Sequence, residues 1–426
     1  MKNLFLLIFL CCNAFILSSQ TSDFEKYFTK ESLRIDYILA GNNSESRIYL
    51  QSMKKEPFWG GSVTVLTDPL GYGEYMCKIM PEGKTNVIYS RGFSTLFQEW
   101  QTTDEATLLN KGFYQSTNIP FPKHTVVFEI YERDQNAEFQ LKLSVKIDPS
   151  DYFIEPSPGS DYPVKKIRVS GDPAHCVDIV FIPEGYTSEQ MGKFERDIVR
   201  LTDSLFSIRP FSNYSDKFNL YAVLAPSADE GADIPGKNIW KNTLVNSTFY
   251  TFDSERYLTT LDFWSVKDVA ALAPYDQIYI LVNTEKYGGG GVYNHYNLTS
   301  VDNVLSAKVF VHEFGHGFAG LGDEYYTSDV SYNEFYSSEI EPWEPNLTTL
   351  VDFSSKWEKM IEQGTPVPTP STQDYKSITG VFEGGGYVAK GVYRPALDCY
   401  MKSNAPDCFC KVCEHSIEKM IRFLTE

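Results

Sequence analysis

The sequence has too little positive charge to suggest a protein that binds nucleic acid. Its 426 residues include 38 Lys and Arg against 56 Asp and Glu, which gives a formal net charge of −18 at pH 7. A nucleic-acid-binding protein needs a basic surface that neutralises phosphates, and adhesion to an anionic lipid surface requires positive charge as well. The charge balance therefore argues against both classes of partner.

Long hydrophobic runs are scarce. The run at residues 4–10 is interrupted at 11–13, resumes at 14–17 and then ends in small polar residues. This is too short for a comfortable membrane span, and no later stretch reaches the roughly 20 apolar residues that a transmembrane helix needs. Internal repeats and low-complexity segments are also missing from the sequence, which therefore predicts a globular chain without an integral membrane span.

The apolar start itself resembles an export signal. Lys2 precedes the run, and we interpret residues 1–20 as a signal peptide, with a protein that is secreted, periplasmic or on the cell surface. A lipoprotein anchor at Cys11 or Cys12 is the less favoured alternative, because bulky residues precede both cysteines.

Cysteine is infrequent, and the expected compartment decides how it is interpreted. Six cysteines follow the predicted signal, and four of them fall within residues 399–413. Such a cluster could bind a structural zinc ion, but an oxidising compartment favours disulfides, and we predict disulfides with the pairing left open. The six are Cys77, Cys176, Cys399, Cys408, Cys410 and Cys413.

Two regions differ in their hydrophobic pattern. Residues 35–147 contain short alternating runs with no helical stretch of note, and we predict an all-β sandwich domain over residues 21–150. A proline-containing segment at residues 151–164 is the predicted linker. Beyond it, apolar strands alternate with helical patterns, and we predict an α/β (α+β) domain over residues 165–426.

The chemistry-bearing motif of the second domain is Val311-His312-Glu313-Phe314-Gly315-His316. Two histidines four residues apart lie on one face of a helix, so both imidazoles can bind the same ion. Glu313 is offset around the helix, where it can take a proton from an activated water. We predict that His312 and His316 bind a catalytic zinc ion and that Glu313 is the general base. The alternative without a metal ion is a buried helix in which both histidines have their hydrogen bonds satisfied.

The residues after the motif offer a third ligand. Gly320 and Gly322 can end the helix and turn the chain back, which presents Asp323 to the metal. A catalytic zinc ion takes three protein ligands and keeps an open position, and Asp323 is the predicted third ligand. Glu324 is the close alternative, because the turn decides which carboxylate points inward. Both could instead be surface turn residues.

A glycine run, Tyr287-Gly288-Gly289-Gly290-Gly291-Val292-Tyr293, follows the apolar strand at residues 277–282. Glycines in an extended segment permit close approach of another backbone, and an exposed edge could bind a peptide by strand addition. We predict substrate binding at Gly289, Gly290 and Gly291, with a flexible loop as the alternative.

These motifs together resemble the IgA-specific metalloendopeptidase family. The resemblance covers most of the chain and includes Asp178–Thr187, the glycine run, His312–Tyr325, and the segment from Cys399-Tyr400-Met401 to Phe409-Cys410-Lys411-Val412-Cys413. It implies an N-terminal β domain followed by a zinc peptidase domain. IgA is a substrate of some family members and does not transfer automatically to this chain.

The wider metzincin group has a similar metal-binding motif but a different spacing between the second histidine and the third ligand. Its pattern would place a glycine at Ala319 and the third ligand at Gly322, whereas here Gly320 and Asp323 each fall one residue later. Met401 looks like the methionine beneath the metal in that group, and either Tyr325 or Tyr400 could support an oxyanion.

The sequence thus predicts an exported zinc endopeptidase of metzincin-like architecture that acts on extracellular proteins. The alternative from another class is a surface module that binds glycans or host proteins through its β domain, with a structural or vestigial metal site.

Overall fold

The computed structural model describes residues 23–156, 161–326 and 336–426. The predicted signal peptide lies outside these ranges, as do residues 157–160 of the predicted linker. No helix in the described ranges is long and apolar enough to cross a bilayer.

The N-terminal part of the chain is built from two antiparallel-rich sheets. Its strands are β1 (Phe28–Gly41), β2 (Ser46–Glu56), β3 (Tyr75–Pro81), β4 (Tyr89–Phe93), β5 (Lys111–Pro122), β6 (Val126–Arg133), β7 (Phe139–Ile147) and β8 (Ile154–Pro156). One sheet has the order β5-β1-β2-β8 and the other the order β4-β3-β6-β7. Buried positions alternate along β6, as expected for a strand with one face in a core.

Three short helices accompany these sheets: α1 (Asp23–Tyr27), α2 (Leu96–Gln101) and α3 (Asp104–Leu108). The prediction that this region has no helical stretch of note is therefore wrong at α2 and α3. Thr95 caps α2 by accepting a hydrogen bond from the Phe97 N–H, and Trp100 is fully buried. Such a six-residue helix is too short to show a periodic pattern in the sequence.

A six-stranded mixed sheet organises the second part of the chain. It contains β9 (Val164–Arg168), β10 (Val177–Glu184), β11 (Phe218–Val223), β12 (Gln277–Val282), β13 (Gly289–Val292) and β14 (Tyr296–Ser300) in the order β13-β14-β12-β10-β11-β9. The pairs β10–β11, β10–β12 and β12–β14 are parallel, and both edge strands are antiparallel. Every residue of β10, β11 and β12 is buried, which explains their near-continuous apolar sequences.

The two faces of this sheet are covered differently. Among the described residues, the α-helices of this part are α4 (Met191–Phe206), α5 (Phe263–Ala270), α6 (Ser306–Ala319) and α7 (Lys411–Thr425), and a hairpin of β15 (Phe382–Gly385) and β16 (Val388–Arg394) precedes α7. On one face, Ile179 and Phe181 pack in a core with residues of α4, α6 and α7. On the other, Val180 and Ile182 join a core that continues into the N-terminal sheets.

Polar contacts also join the N-terminal sheets to the second part. Arg34, which is buried, forms an ion pair with Asp268 of α5 at 2.6 Å, and the Trp264 indole donates to the Gln115 carbonyl at 2.9 Å. The molecule therefore has a mixed α/β architecture preceded by a β region, and the predicted strands at 177–182, 218–224 and 277–282 are confirmed.

Candidate active site

Helix α6 places His312, Glu313 and His316 next to one another. The Asn303 side chain accepts a hydrogen bond from the Leu305 N–H at 3.0 Å just before the helix begins. The helix ends at Gly320, whose φ of +64° lies in the left-handed region that favours glycine, and the Gly320 N–H donates to the His316 carbonyl at 3.0 Å. This end reverses the chain directly behind the second histidine.

The reversal brings Asp323 to both histidines. The two Nε2 atoms are 3.0 Å apart, and Asp323 Oδ1 lies 3.2 Å from His312 Nε2 and 3.3 Å from His316 Nε2. Tetrahedral zinc with bonds of about 2.0–2.1 Å would separate such ligand atoms by about 3.3–3.4 Å. The three donors are therefore of the right type and spacing for one zinc ion.

Backbone carbonyls fix both imidazole rings. His312 Nδ1 lies 3.0 Å from the Tyr400 carbonyl and His316 Nδ1 lies 2.5 Å from the Leu321 carbonyl. Because a carbonyl only accepts, each Nδ1 carries the hydrogen, and the Nε2 lone pair of each neutral ring is then available to a cation held between the two rings and Asp323. Asp323 Oδ1 makes no hydrogen bond within the described residues, which leaves it available to a cation.

The charged groups of this cluster shift one another's pKa values. Burial opposes ionisation of Asp323, but the adjacent His316 and His312 outweigh it and hold the pKa of this carboxyl well below its usual value. Burial alone would lower the pKa of His316, yet the Asp323 carboxylate raises it to about 9. Burial raises the pKa of Glu313, which suits a carboxyl that exchanges protons.

The glycine run lies against α6 as strand β13, so it is not a flexible loop. A Cβ atom at Gly291 would lie 2.3 Å from the Glu313 carbonyl oxygen, and one at Gly289 would lie 2.7 Å from Glu313 Oε1. Only glycine permits this approach of strand to helix. β13 is an edge strand, and its outer side is bridged to Tyr257 at Gly289.

A cleft of about 400 Å³ opens over the cluster. It is lined by the metal-binding candidates, by β13 and by residues from the N-terminal part of the chain. Those N-terminal residues are Glu74, Ser94, Thr95, Gln98 and Glu99.

Comparison with protein families assigns the chain. The model described as IgA Peptidase M64 matches residues 165–377 and 371–421, and the model described as Peptidase M64 N-terminus matches residues 23–144. The chain belongs to the IgA peptidase M64 family. It is therefore a metallopeptidase with a polypeptide substrate. No curated protein matches the chain.

In this M64 peptidase, Glu324 does not face the histidines. It is fully buried and its Oε1 lies 3.0 Å from Asn346 Nδ2 and 3.2 Å from Cys413 Sγ. Of the two adjacent carboxylates, Asp323 is the one at the histidines, whereas Glu324 points toward Asn346 and Cys413.

Met401, Tyr325 and Tyr400 occupy different positions around the M64 site. Met401 is fully buried beneath α6, where its Sδ would lie 2.7 Å from a Cβ at Gly315. Tyr325 lines the cleft, whereas Tyr400 does not, and the Tyr400 ring stacks on Phe409 with centroids 5.2 Å apart. Of the two tyrosines considered for the oxyanion, only Tyr325 is placed to reach a substrate, while Tyr400 orients His312 through its carbonyl.

Two features of the M64 site escaped the sequence analysis. The Tyr387 hydroxyl donates to Asp323 Oδ2, and no spacing rule connects residues 64 positions apart. All six described cysteines are free thiols, so the predicted disulfides are absent from the described residues. Cysteine pairing depends on which distant segments meet in the fold. The interpretation that the protein is exported says nothing about those contacts.

Proposed function

We propose that this M64 peptidase is an exported zinc endopeptidase in which His312, His316 and Asp323 bind the metal ion and Glu313 is the general base. The convergence of two imidazole nitrogens and one carboxylate oxygen within 3.0–3.3 Å, at the floor of a cleft, is the observation that supports it. Export rests on the sequence of residues 1–20 alone.

A bound zinc ion would supply a Lewis acid that polarises the scissile carbonyl and lowers the pKa of the attacking water. Glu313 lies one position after His312 on the same helix, and its carboxylate accepts the proton of that water and passes it to the leaving amine. The raised pKa of Glu313 favours uptake of the proton and its retention until the more basic leaving amine accepts it.

Substrate would bind as an extended peptide against the cleft-facing backbone of β13, since the outer side of the strand is already bridged to Tyr257 at Gly289. Backbone groups of Gly289, Gly290 and Gly291 face the cleft without side chains that would obstruct them. Tyr325, which lies 5.3 Å from Tyr387 between ring centroids, is the candidate donor to the developing oxyanion.

The domain assignment is part of the same proposal. We assign residues 21–150 to a β-sandwich domain, 151–164 to a linker and 165–426 to a catalytic domain of metzincin-like architecture. The substrates are extracellular proteins, with host proteins and IgA among the candidates. Since residues of both parts line the cleft, the N-terminal domain contributes to substrate recognition.

The deciding experiment is the variant Glu313→Gln, assayed against a peptide library with product analysis by mass spectrometry. It should keep its zinc and lose cleavage by about 10²–10⁴-fold, because the shape of the site is retained and only proton transfer is lost. The control is Glu285→Gln, an exposed carboxylate near the same sheet, which should cleave normally. Full activity in Glu313→Gln would end the proposal.

A further inference from the structure

A second group of metal-ligating side chains lies directly behind the histidines. It consists of Glu324, Cys399, Cys410 and Cys413, whose donor atoms all lie within 4.8 Å of one another. Cys399 Sγ is 3.8 Å from Cys413 Sγ, and Cys413 Sγ is 3.2 Å from Glu324 Oε1. We call this group the cysteine cluster.

The surroundings of the cysteine cluster suit thiolates. The Cys410 N–H donates to Cys399 Sγ at 3.2 Å, and the Cys413 N–H donates to Cys410 Sγ at 3.5 Å. Cys410 caps the N-terminus of α7, where the helix dipole favours negative charge. Backbone N–H donors of this kind stabilise metal-bound sulfur.

Burial makes this group costly unless something binds it. Glu324, Cys399 and Cys413 are each fully buried, and Glu324 Oε2 has no hydrogen-bond partner among the described residues. A buried carboxylate oxygen without a partner is unfavourable in a dry site, and a bound cation removes that penalty.

The sulfur spacing distinguishes a metal site from a disulfide. Tetrahedral zinc with Zn–S bonds of about 2.3 Å separates two thiolates by about 3.8 Å, whereas a disulfide requires about 2.05 Å. The separation of 3.8 Å between Cys399 and Cys413 matches the former.

We propose that Glu324, Cys399, Cys410 and Cys413 bind a second divalent ion in a closed structural site. The three soft sulfur donors favour zinc as this ion. Four protein ligands leave no open position, so this ion takes no part in hydrolysis. The inference goes beyond the proposed function and does not depend on it.

The position of the site in the chain suggests what it stabilises. Glu324 is the residue after Asp323, and Cys399 is the residue before Tyr400, whose carbonyl orients His312. The Glu324 N–H also donates to the Met401 carbonyl at 2.8 Å. An ion bound by the cysteine cluster would therefore join the two segments that shape the catalytic centre to helix α7.

The test is metal content by plasma mass spectrometry on the purified full chain. We expect about two zinc ions per chain in the wild type, about one in His316→Ala, about one in Cys413→Ser and none in the double variant. Cys408→Ser is the matched control, since Cys408 is exposed in the same segment and outside the cluster, and it should keep both ions.

Cobalt substitution of His316→Ala gives a second readout that needs no change in the cluster. Thiolate ligation should produce a sulfur-to-cobalt charge-transfer band in the near ultraviolet, and its absence would overturn the proposal. A wild type that holds one zinc ion, lost entirely in His316→Ala, would also overturn it. So would a Cys399–Cys413 bridge found by mass spectrometry without reduction. Because none of these readouts measures cleavage, they stand apart from the Glu313→Gln result.

Discussion

The cysteine cluster and the group of His312, His316 and Asp323, here called the histidine cluster, are neighbours in the chain and differ in access. The histidine cluster offers three donors at the floor of a cleft, and the side chains of His312 and His316 remain 18% and 15% exposed. The cysteine cluster offers four donors and three of its side chains are fully buried. Ligand number and solvent access, more than ligand type, separate a reactive metal centre from a structural one.

Removal of a histidine should have the largest effect on activity. His316→Ala leaves two donors for the catalytic ion, and we expect cleavage to fall by about 10³-fold or more, because the metal and its Lewis acidity are lost together. Initial rates on a fluorogenic peptide would measure this. The control is His175→Ala, an exposed histidine whose replacement should leave the rate unchanged. Wild-type activity in His316→Ala would contradict the assignment of the histidine cluster as the catalytic metal site.

A chelator should empty the two clusters at different speeds. Dipicolinate should abolish cleavage first, because the histidine cluster is reached through the cleft, and added zinc should restore it. The thiols of the cysteine cluster should become reactive toward a disulfide reagent only later, on local unfolding. Parallel measurement of activity and thiol release would check the order. Simultaneous loss would contradict the difference in access.

Loss of the Tyr387 hydroxyl should have an intermediate effect. Tyr387→Phe removes the hydrogen bond to Asp323 Oδ2, and outer hydrogen bonds of this kind contribute about 10–100-fold to metal affinity. We expect zinc affinity at the histidine cluster to fall by about tenfold, measured by competition with a chromophoric chelator. Tyr393→Phe in the same hairpin is the control, and equal effects of the two variants would argue against the orienting role.

The smallest expected effect is on folding stability, and it concerns Asp178, a buried carboxylate outside both clusters. Burial raises the pKa of Asp178 to about 7, and its side chain accepts from Asn219 Nδ2 at 2.7 Å. The folded pKa lies above the unfolded value near 3.9. The protonated Asp178 side chain therefore makes its full contribution to folding stability below about pH 4, and this contribution is lost as pH rises through about 7.

The difference in unfolding free energy between Asp178→Asn and the wild type should therefore grow by about 2 kcal/mol, in favour of the variant, from pH 5 to pH 8. Urea unfolding at both values would measure it. Asp374→Asn on the surface should show no such difference. If Asp178→Asn lost stability at pH 8, this carboxylate would have an ionic role like that proposed for Glu324.

The sequence predicted those features that depend on local periodicity. His312 and His316 follow from helical spacing, and strands β10 and β12 follow from apolar runs whose length matches buried strands. The choice between Asp323 and Glu324 could not be made, because it depends on the backbone after Gly320. The prediction of disulfides is wrong for the described residues, and no local pattern shows that Glu324, 75 positions before Cys399, lies beside these cysteines.

The contact between β13 and Glu313 limits how the enzyme can be redesigned. A side chain at Gly289 or Gly291 would displace the carboxylate or the helix backbone before it touched a peptide. Mutant libraries aimed at altered cleavage preference would therefore lose turnover if they randomised this strand. Gln98 of helix α2 also lines the cleft and offers a position where selectivity can be varied separately from turnover.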